Sequence, residues 1–173
     1  MTDNDSLADR INRLAKGRRM RQDAEKQAQL TQEQINQFIL SNAKPEFDRL
    51  LDRLEGRIVQ VNKSLQDMPE FQFRRNGPYV RQGNSAVYLN FDQLYTNAGP
   101  IHFVLSFGRE PEGVYADFFS EPPAPERYYL QPAMEHNPDR IVWMGDLGEM
   151  SSDHLCNFVL EHLTEYYLEH SPH

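Results

Sequence analysis

The sequence predicts an α+β protein in which helices pack on one face of an antiparallel meander sheet of five or six strands. Three observations predict this class. Apolar residues recur at spacings of three and four in residues 47–65 and again in residues 152–169, which is typical of amphipathic helices. Between residues 71 and 144 apolar residues alternate along short runs, which is typical of strands. Clusters of Gly, Pro and Asn separate those runs, as turns do.

The first part of the chain is predicted to be a basic helical segment with little to bury. Leu7, Ile11 and Leu14 share one face of a short helix, whereas the stretch that follows favours helix but contains almost no large apolar side chain. The chain is therefore predicted to consist of an arm, residues 1–30, that is helical or partly disordered, and a single α+β domain, residues 31–173.

Two further helices are predicted before the sheet. Thr31 and Gln34 fit a capping box, and Lys44-Pro45 ends that helix because the residue before a proline disfavours the helical backbone. The next helix carries a heptad seam: Phe47, Leu51, Leu54, Ile58, Val61 and Leu65. This seam either covers the sheet of the same chain or binds a protein partner, which includes a second copy of the chain.

The last helix is predicted to run from about Ser152 to Glu169, with Ser151 or Ser152 as its cap. The single cysteine, Cys156, falls on the apolar side of this helix, where a thiol behaves as a small hydrophobic group. One cysteine excludes an internal disulfide and any zinc site built from several cysteines.

Charge is distributed unevenly along the 173 residues, whose formal net charge is -8. Residues 1–64 hold 12 Lys or Arg against 10 Asp or Glu, whereas residues 65–173 hold 6 against 16. The acidic part is expected to repel nucleic acid. Weak nucleic-acid binding is therefore predicted only for the arm, through a set of basic side chains that are also the candidate anion ligands: Arg10, Arg13, Lys16, Arg18, Arg19 and Arg21.

The second face of the predicted sheet is the candidate site for a small ligand or for catalysis. Its alternating positions carry three aromatic or ionisable residue types that can stack, donate and accept hydrogen bonds. The candidate ligand-binding residues are Tyr88, His102, Tyr115, Asp117 and Tyr129. The competing explanation is that tyrosine simply favours strands.

Motifs that would define an enzyme are missing from the sequence. It contains no nucleotide-binding glycine pattern, no hydrolase elbow and no zinc motif, so no metal site and no cofactor are predicted, and an enzyme is disfavoured but not excluded. His154, His162 and His170 recur every eight residues, which does not bring two imidazoles to one metal ion. No long apolar stretch or secretory leader is present, so a cytoplasmic location is expected. The predicted function is a non-enzymatic protein-interaction or adaptor domain that self-associates or binds another protein through the heptad helix.

Overall fold

A computed structural model describes residues 4–81, 84–91, 102–109, 112–119, 127–136 and 138–170. It confirms the α+β class, with a long N-terminal helical region, antiparallel strands and a C-terminal helix. The chain divides into two compact units, Met1–Phe38 and Ile39–His173. The division into an arm of residues 1–30 and a domain of residues 31–173 stays a prediction.

The N-terminal region forms one helix, α1 (Asn4–Ser64), and not the several helices that the sequence predicts. The predicted helix start at Thr31 is wrong. The Thr31 hydroxyl donates a hydrogen bond to the carbonyl oxygen of Gln27, 2.9 Å away in the preceding turn. A threonine bonded in this way fits inside a helix. Its side chain is then not available to cap a new one.

Pro45 does not interrupt α1 but lies inside it, contrary to the prediction. A proline in a helix removes one backbone hydrogen bond and crowds the preceding turn, at an intrinsic cost of about 3 kcal/mol. Ala43 and Phe47, on either side of the proline, are both buried in the second unit. Their packing holds the helical backbone across Pro45, since tertiary burial outweighs local propensity.

The described residues form seven strands: β1 (Phe73–Arg81), β2 (Asn84–Phe91), β3 (His102–Arg109), β4 (Glu112–Phe119), β5 (Arg127–Glu135), β6 (Arg140–Gly145) and β7 (Gly148–Met150). They lie side by side in chain order, and each pairs antiparallel with the next. The expected number of five or six strands is not confirmed. The alternation in the sequence does not reveal β1, which is rich in arginine, or β7, which has three residues.

An irregularity in β1 explains why its pattern is hard to recognise. The pairing with β2 shifts between Asn76 and Tyr79, and Gly77 lies at that point with a φ of 109°. Only glycine adopts this backbone conformation readily. A Cβ atom at Gly77 would also lie 2.8 Å from the carbonyl oxygen of Ala86, so a larger residue would disturb the pairing. An edge strand tolerates such bulges and charges.

The core lies between the sheet and the helices that cover one of its faces. The C-terminal helix, α2 (Ser152–His170), begins where the sequence predicts. The ring of Phe47 in α1 lies 5.3 Å from that of Phe107 in β3, and the ring of Tyr167 in α2 lies 5.7 Å from that of Phe91 in β2. Both helices of the second unit therefore pack against the same face of the sheet.

Candidate binding groove

The heptad seam of α1 is mostly part of the core. Phe47, Leu51, Leu54 and Ile58 are buried within the single chain. Val61 and Leu65, at the C-terminal end of the seam, remain half-buried. The predicted role of the six residues in partner binding stays a prediction, but accessible apolar surface on this seam is concentrated at its last two members.

Those two residues line an open apolar groove of about 350 Å³ on the second unit. Three elements form it: the end of α1, the start of β1 and the middle of α2. Its lining residues are Val61, Leu65, Phe73, Leu160, Glu161, Thr164 and Glu165. A volume of this size lies at the small end of the range for protein binding sites, about 300–1,000 Å³.

Asn62 fixes the wall that α1 and β1 share. Its amide nitrogen donates to the carbonyl oxygen of Phe73 at 2.9 Å, and its amide oxygen accepts from the backbone N–H of Phe73 at 2.8 Å. Both outward-facing backbone groups of Phe73 are thereby satisfied, as a neighbouring strand would satisfy them. The amide therefore holds β1 beside α1 and closes one part of the exposed edge of the sheet.

On the α2 side, the groove has an apolar floor and an acidic rim. Leu160 is buried, and the Thr164 hydroxyl donates to the Leu160 carbonyl oxygen at 2.9 Å, so this hydroxyl already has a partner. Glu161 and Glu165 are exposed one turn apart, and neither forms an ion pair with another described residue. Within the described part of the chain, the rim therefore carries two carboxylates without an ion-pair partner above an apolar floor.

The register of the strands relates the five candidate residues of the second sheet face. Tyr88 pairs with Val104, and Asp117 pairs with the same Val104 from the other side. Tyr115 pairs with Tyr129. Because residues two apart in a strand share a face, the backbone places positions 88, 102, 115, 117 and 129 in one alternating set.

Side chains are described for only two of those five positions, Tyr88 and Tyr129, and both are exposed. The side chains of His102, Tyr115 and Asp117 lie outside the described residues. On the same face, Asn90 Oδ1 is buried and accepts no hydrogen bond from any described residue. The assignment of this face to a ligand stays a prediction.

The six basic side chains proposed for anion binding are all exposed on the first part of α1. Arg13 donates from Nε to the carbonyl oxygen of Asp9 at 3.2 Å. Among the described residues of this unit, the set is spread around the helix, as its sequence numbers require, and is not gathered into one patch. Anion binding and nucleic-acid binding by the arm stay predictions.

An aromatic cluster joins α2 to β5, and the sequence alone does not reveal it. The Tyr128 hydroxyl and His162 Nε2 are hydrogen-bonded at 2.8 Å, and the His162 ring stacks on Phe158 with centroids 5.0 Å apart. The available signal was the four-residue spacing of Phe158 and His162, which places them on one side of a helix. The pair satisfies two half-buried polar groups and joins helix to sheet.

A second contact that the sequence did not reveal fixes the start of α2. The Trp143 indole N–H donates to Ser152 Oγ at 3.2 Å, and that hydroxyl donates to Glu46 Oε1 at 2.7 Å. Ser151 Oγ accepts from the backbone N–H of His154 at 3.2 Å, so Ser151 is the N-cap. One of the two predicted caps therefore caps the helix, whereas the other connects it to α1 and β6.

Cys156 is buried, as predicted, with its Sγ 3.6 Å from the carbonyl oxygen of Leu50 in α1. Burial, reinforced by the nearby Asp153 carboxylate, raises the pKa of this thiol to about 11. A thiol with this pKa remains protonated at neutral pH, so Cys156 is not suited to act as a nucleophile.

In the part of the chain that the structure describes, no three His, Cys, Asp or Glu side chains converge as a metal-ligand set. No helix in that part is long and apolar enough to cross a membrane. Comparison of the chain with protein-family models, with curated proteins and with solved structures finds no match.

Proposed function

We propose that this chain is a non-enzymatic protein-interaction domain that binds an amphipathic, basic helix in the groove lined by Val61, Leu65, Phe73 and Leu160. The observation that carries the proposal is the composition of the groove, which combines an apolar floor with two unpaired carboxylates on one rim. Helix-in-groove recognition uses apolar side chains at spacings of three and four, and the rim selects the charge beside them.

The charge balance of the second unit also supports a basic partner. Residues 39–173 hold 20 Asp or Glu against 11 Lys or Arg, so the second unit attracts cationic segments at long range. Glu161 and Glu165 would then position the partner, because opposite charges close to an apolar contact fix its orientation.

The test is a titration of the full chain with a fluorescently labelled helical peptide of leucine and lysine, followed by anisotropy. Glu165→Lys is expected to weaken binding at least about tenfold. Glu169→Lys is the matched control, since Glu169 is also exposed on α2, one turn further on and outside the groove. Trp143 fluorescence reports whether each variant is folded. Equal affinity of the two variants, or a leucine-glutamate peptide that binds as well, would refute the proposal.

A second candidate function is binding of a small ligand on the other sheet face, favoured by Asn90 Oδ1, which is buried and accepts no hydrogen bond from the described residues. A buried acceptor without a donor costs about 1–3 kcal/mol, and a ligand N–H near Tyr88 would recover that energy. Indole, a planar N–H donor, is a suitable probe. Chemical-shift changes of β2 amides on indole addition are expected, and they should vanish in Asn90→Ala. Shifts that persist in Asn90→Ala would exclude this site.

A further inference from the structure

The first unit of the chain presents a helical row with the features that the groove selects. Ile11, Leu14, Arg18 and Arg21 follow one another at spacings of three, four and three, so they lie along one side of α1. Ile11 is 57% exposed and Leu14 is 74% exposed. Both arginines are exposed as well. The row is therefore apolar at one end and basic at the other.

We propose that this row, residues 11–21 of one chain, occupies the groove of a second copy of the chain. The inference rests on the proposed function and names the partner. Ile11 and Leu14 would fill the apolar floor at Val61 and Leu160. Arg18 and Arg21 would then face the carboxylates on the α2 rim.

Charge complementarity is the reason to prefer a second copy over other basic helices. From Arg10 to Lys26 the chain has seven basic and two acidic residues, whereas residues 65–173 are strongly acidic. Each copy supplies one row and one groove, so two copies can make the same contact twice. Such an isologous arrangement closes at a dimer and leaves neither surface exposed.

The first experiment is sedimentation equilibrium of the full chain over a wide concentration range, at about 0.1 M and about 0.5 M salt. A dimer that weakens with salt is expected. Leu14→Asp and the double variant Glu161→Lys/Glu165→Lys should each weaken dimerisation at least about tenfold. Leu30→Asp and Glu169→Lys are the matched controls, because both residues are exposed and lie outside the proposed contact.

Mixing the two defective chains tests the exchange directly. A Leu14→Asp chain keeps its groove, and a Glu161→Lys/Glu165→Lys chain keeps its row, so together they retain one intact contact and are expected to form a heterodimer.

Charge reversal gives a second test. Arg18→Glu should restore dimerisation to the chain with a lysine rim, whereas Arg19→Glu, on a different side of α1, should not.

The outcomes separate this inference from the proposed function. A full chain that stays monomeric, with Glu165-dependent binding of the leucine-lysine peptide intact, would overturn the exchange and leave the groove as a site for another protein. A monomer that also fails to bind the peptide would overturn both. A dimer insensitive to the rim charges, or a mixture without heterodimer, would overturn the exchange.

Discussion

The two halves of α1 have the same backbone conformation but opposite relations to solvent. From residue 9 to residue 34 every residue except Gly17 is exposed. From Ala43 to Ile58 the helix has one fully buried side, which includes Phe47 and Leu54 at 0% exposure. One sequence therefore makes a helix in two ways, by local propensity in the first half and by burial of a face in the second.

This difference shows that helix formation and stability are separate properties. The first half is rich in Ala, Gln, Lys, Arg and Glu, which favour helix but bury nothing. The second half contains the exposed Pro45 and still remains helical, because its apolar side is part of the core. Substitutions in the second half should therefore change the free energy of unfolding, and matched substitutions in the first half should not.

The largest expected effect compares one residue type in the two halves. Leu54→Ala should lower the free energy of unfolding by about 2–5 kcal/mol, since it removes a buried side chain and leaves a cavity. At protein concentrations where the chain is monomeric, Leu14→Ala should change it by less than about 0.5 kcal/mol, because the side chain is 74% exposed in the single chain. Urea denaturation followed by Trp143 fluorescence measures both. Equal losses at the two positions would show that the first half also has a buried face.

The proline offers a substitution that should stabilise the second half. Pro45→Ala restores a backbone donor and relieves crowding inside α1, worth about 3 kcal/mol. Replacing the proline also makes the unfolded chain more flexible, which stabilises the unfolded state by about 1 kcal/mol. The net stabilisation of the folded protein should therefore be about 2 kcal/mol. The exposed Ser41→Ala, one turn earlier, is the control and should have a small effect. An unchanged or lower urea midpoint for Pro45→Ala would mean that the helix is not continuous through this position.

The polar contact at the end of α1 should contribute less than the buried leucine. Asn62→Ala removes two hydrogen bonds to Phe73 and leaves both backbone groups to find water, at a cost of about 1–2 kcal/mol. Lys63→Ala, one residue on and exposed, is the control. Hydrogen exchange should accelerate at the Phe73 amide in Asn62→Ala alone. Unchanged exchange there would show that the asparagine does not hold β1.

Much of the second unit could be predicted, because its strands and its last helix are indicated by patterns of neighbouring residues. Alternation of Phe103, Leu105 and Phe107 identifies β3, and the apolar side of α2 follows from helical spacing. The several helices predicted before the sheet were wrong, because Thr31 and Pro45 have strong local signals that the continuous helix overrides. At Pro45 the burial of neighbouring side chains outweighs the local signal, whereas at exposed Thr31 the helix-favouring residues around it do so.

The groove could not be predicted, because its parts are far apart in the chain. Val61 appears in the sequence as the last but one member of a heptad seam, and Phe73 as the second of two phenylalanines before a pair of arginines. Glu161 and Glu165 appear as part of the solvent-exposed side of a helix, and both are exposed in the structure. Only the tertiary structure places these four residues around one open apolar surface.

The smallest expected effect is a pH dependence at the contact between α2 and the buried half of α1. The pKa of Cys156 is about 11 in the folded protein against a reference of 9.0. The unfolded chain therefore loses its thiol proton first, and stability that is fully present below about pH 9 is lost as the pH rises towards 11. Cys156→Ala is the reference variant, because it removes this thiol and leaves every other titratable group in place. The wild-type chain should lose more free energy of unfolding between about pH 8 and about pH 10.5 than Cys156→Ala does. If the two chains lose equal free energy of unfolding, water reaches the thiol in the folded protein. The contact between α2 and Leu50 of α1 would then be looser than the burial of Cys156 indicates.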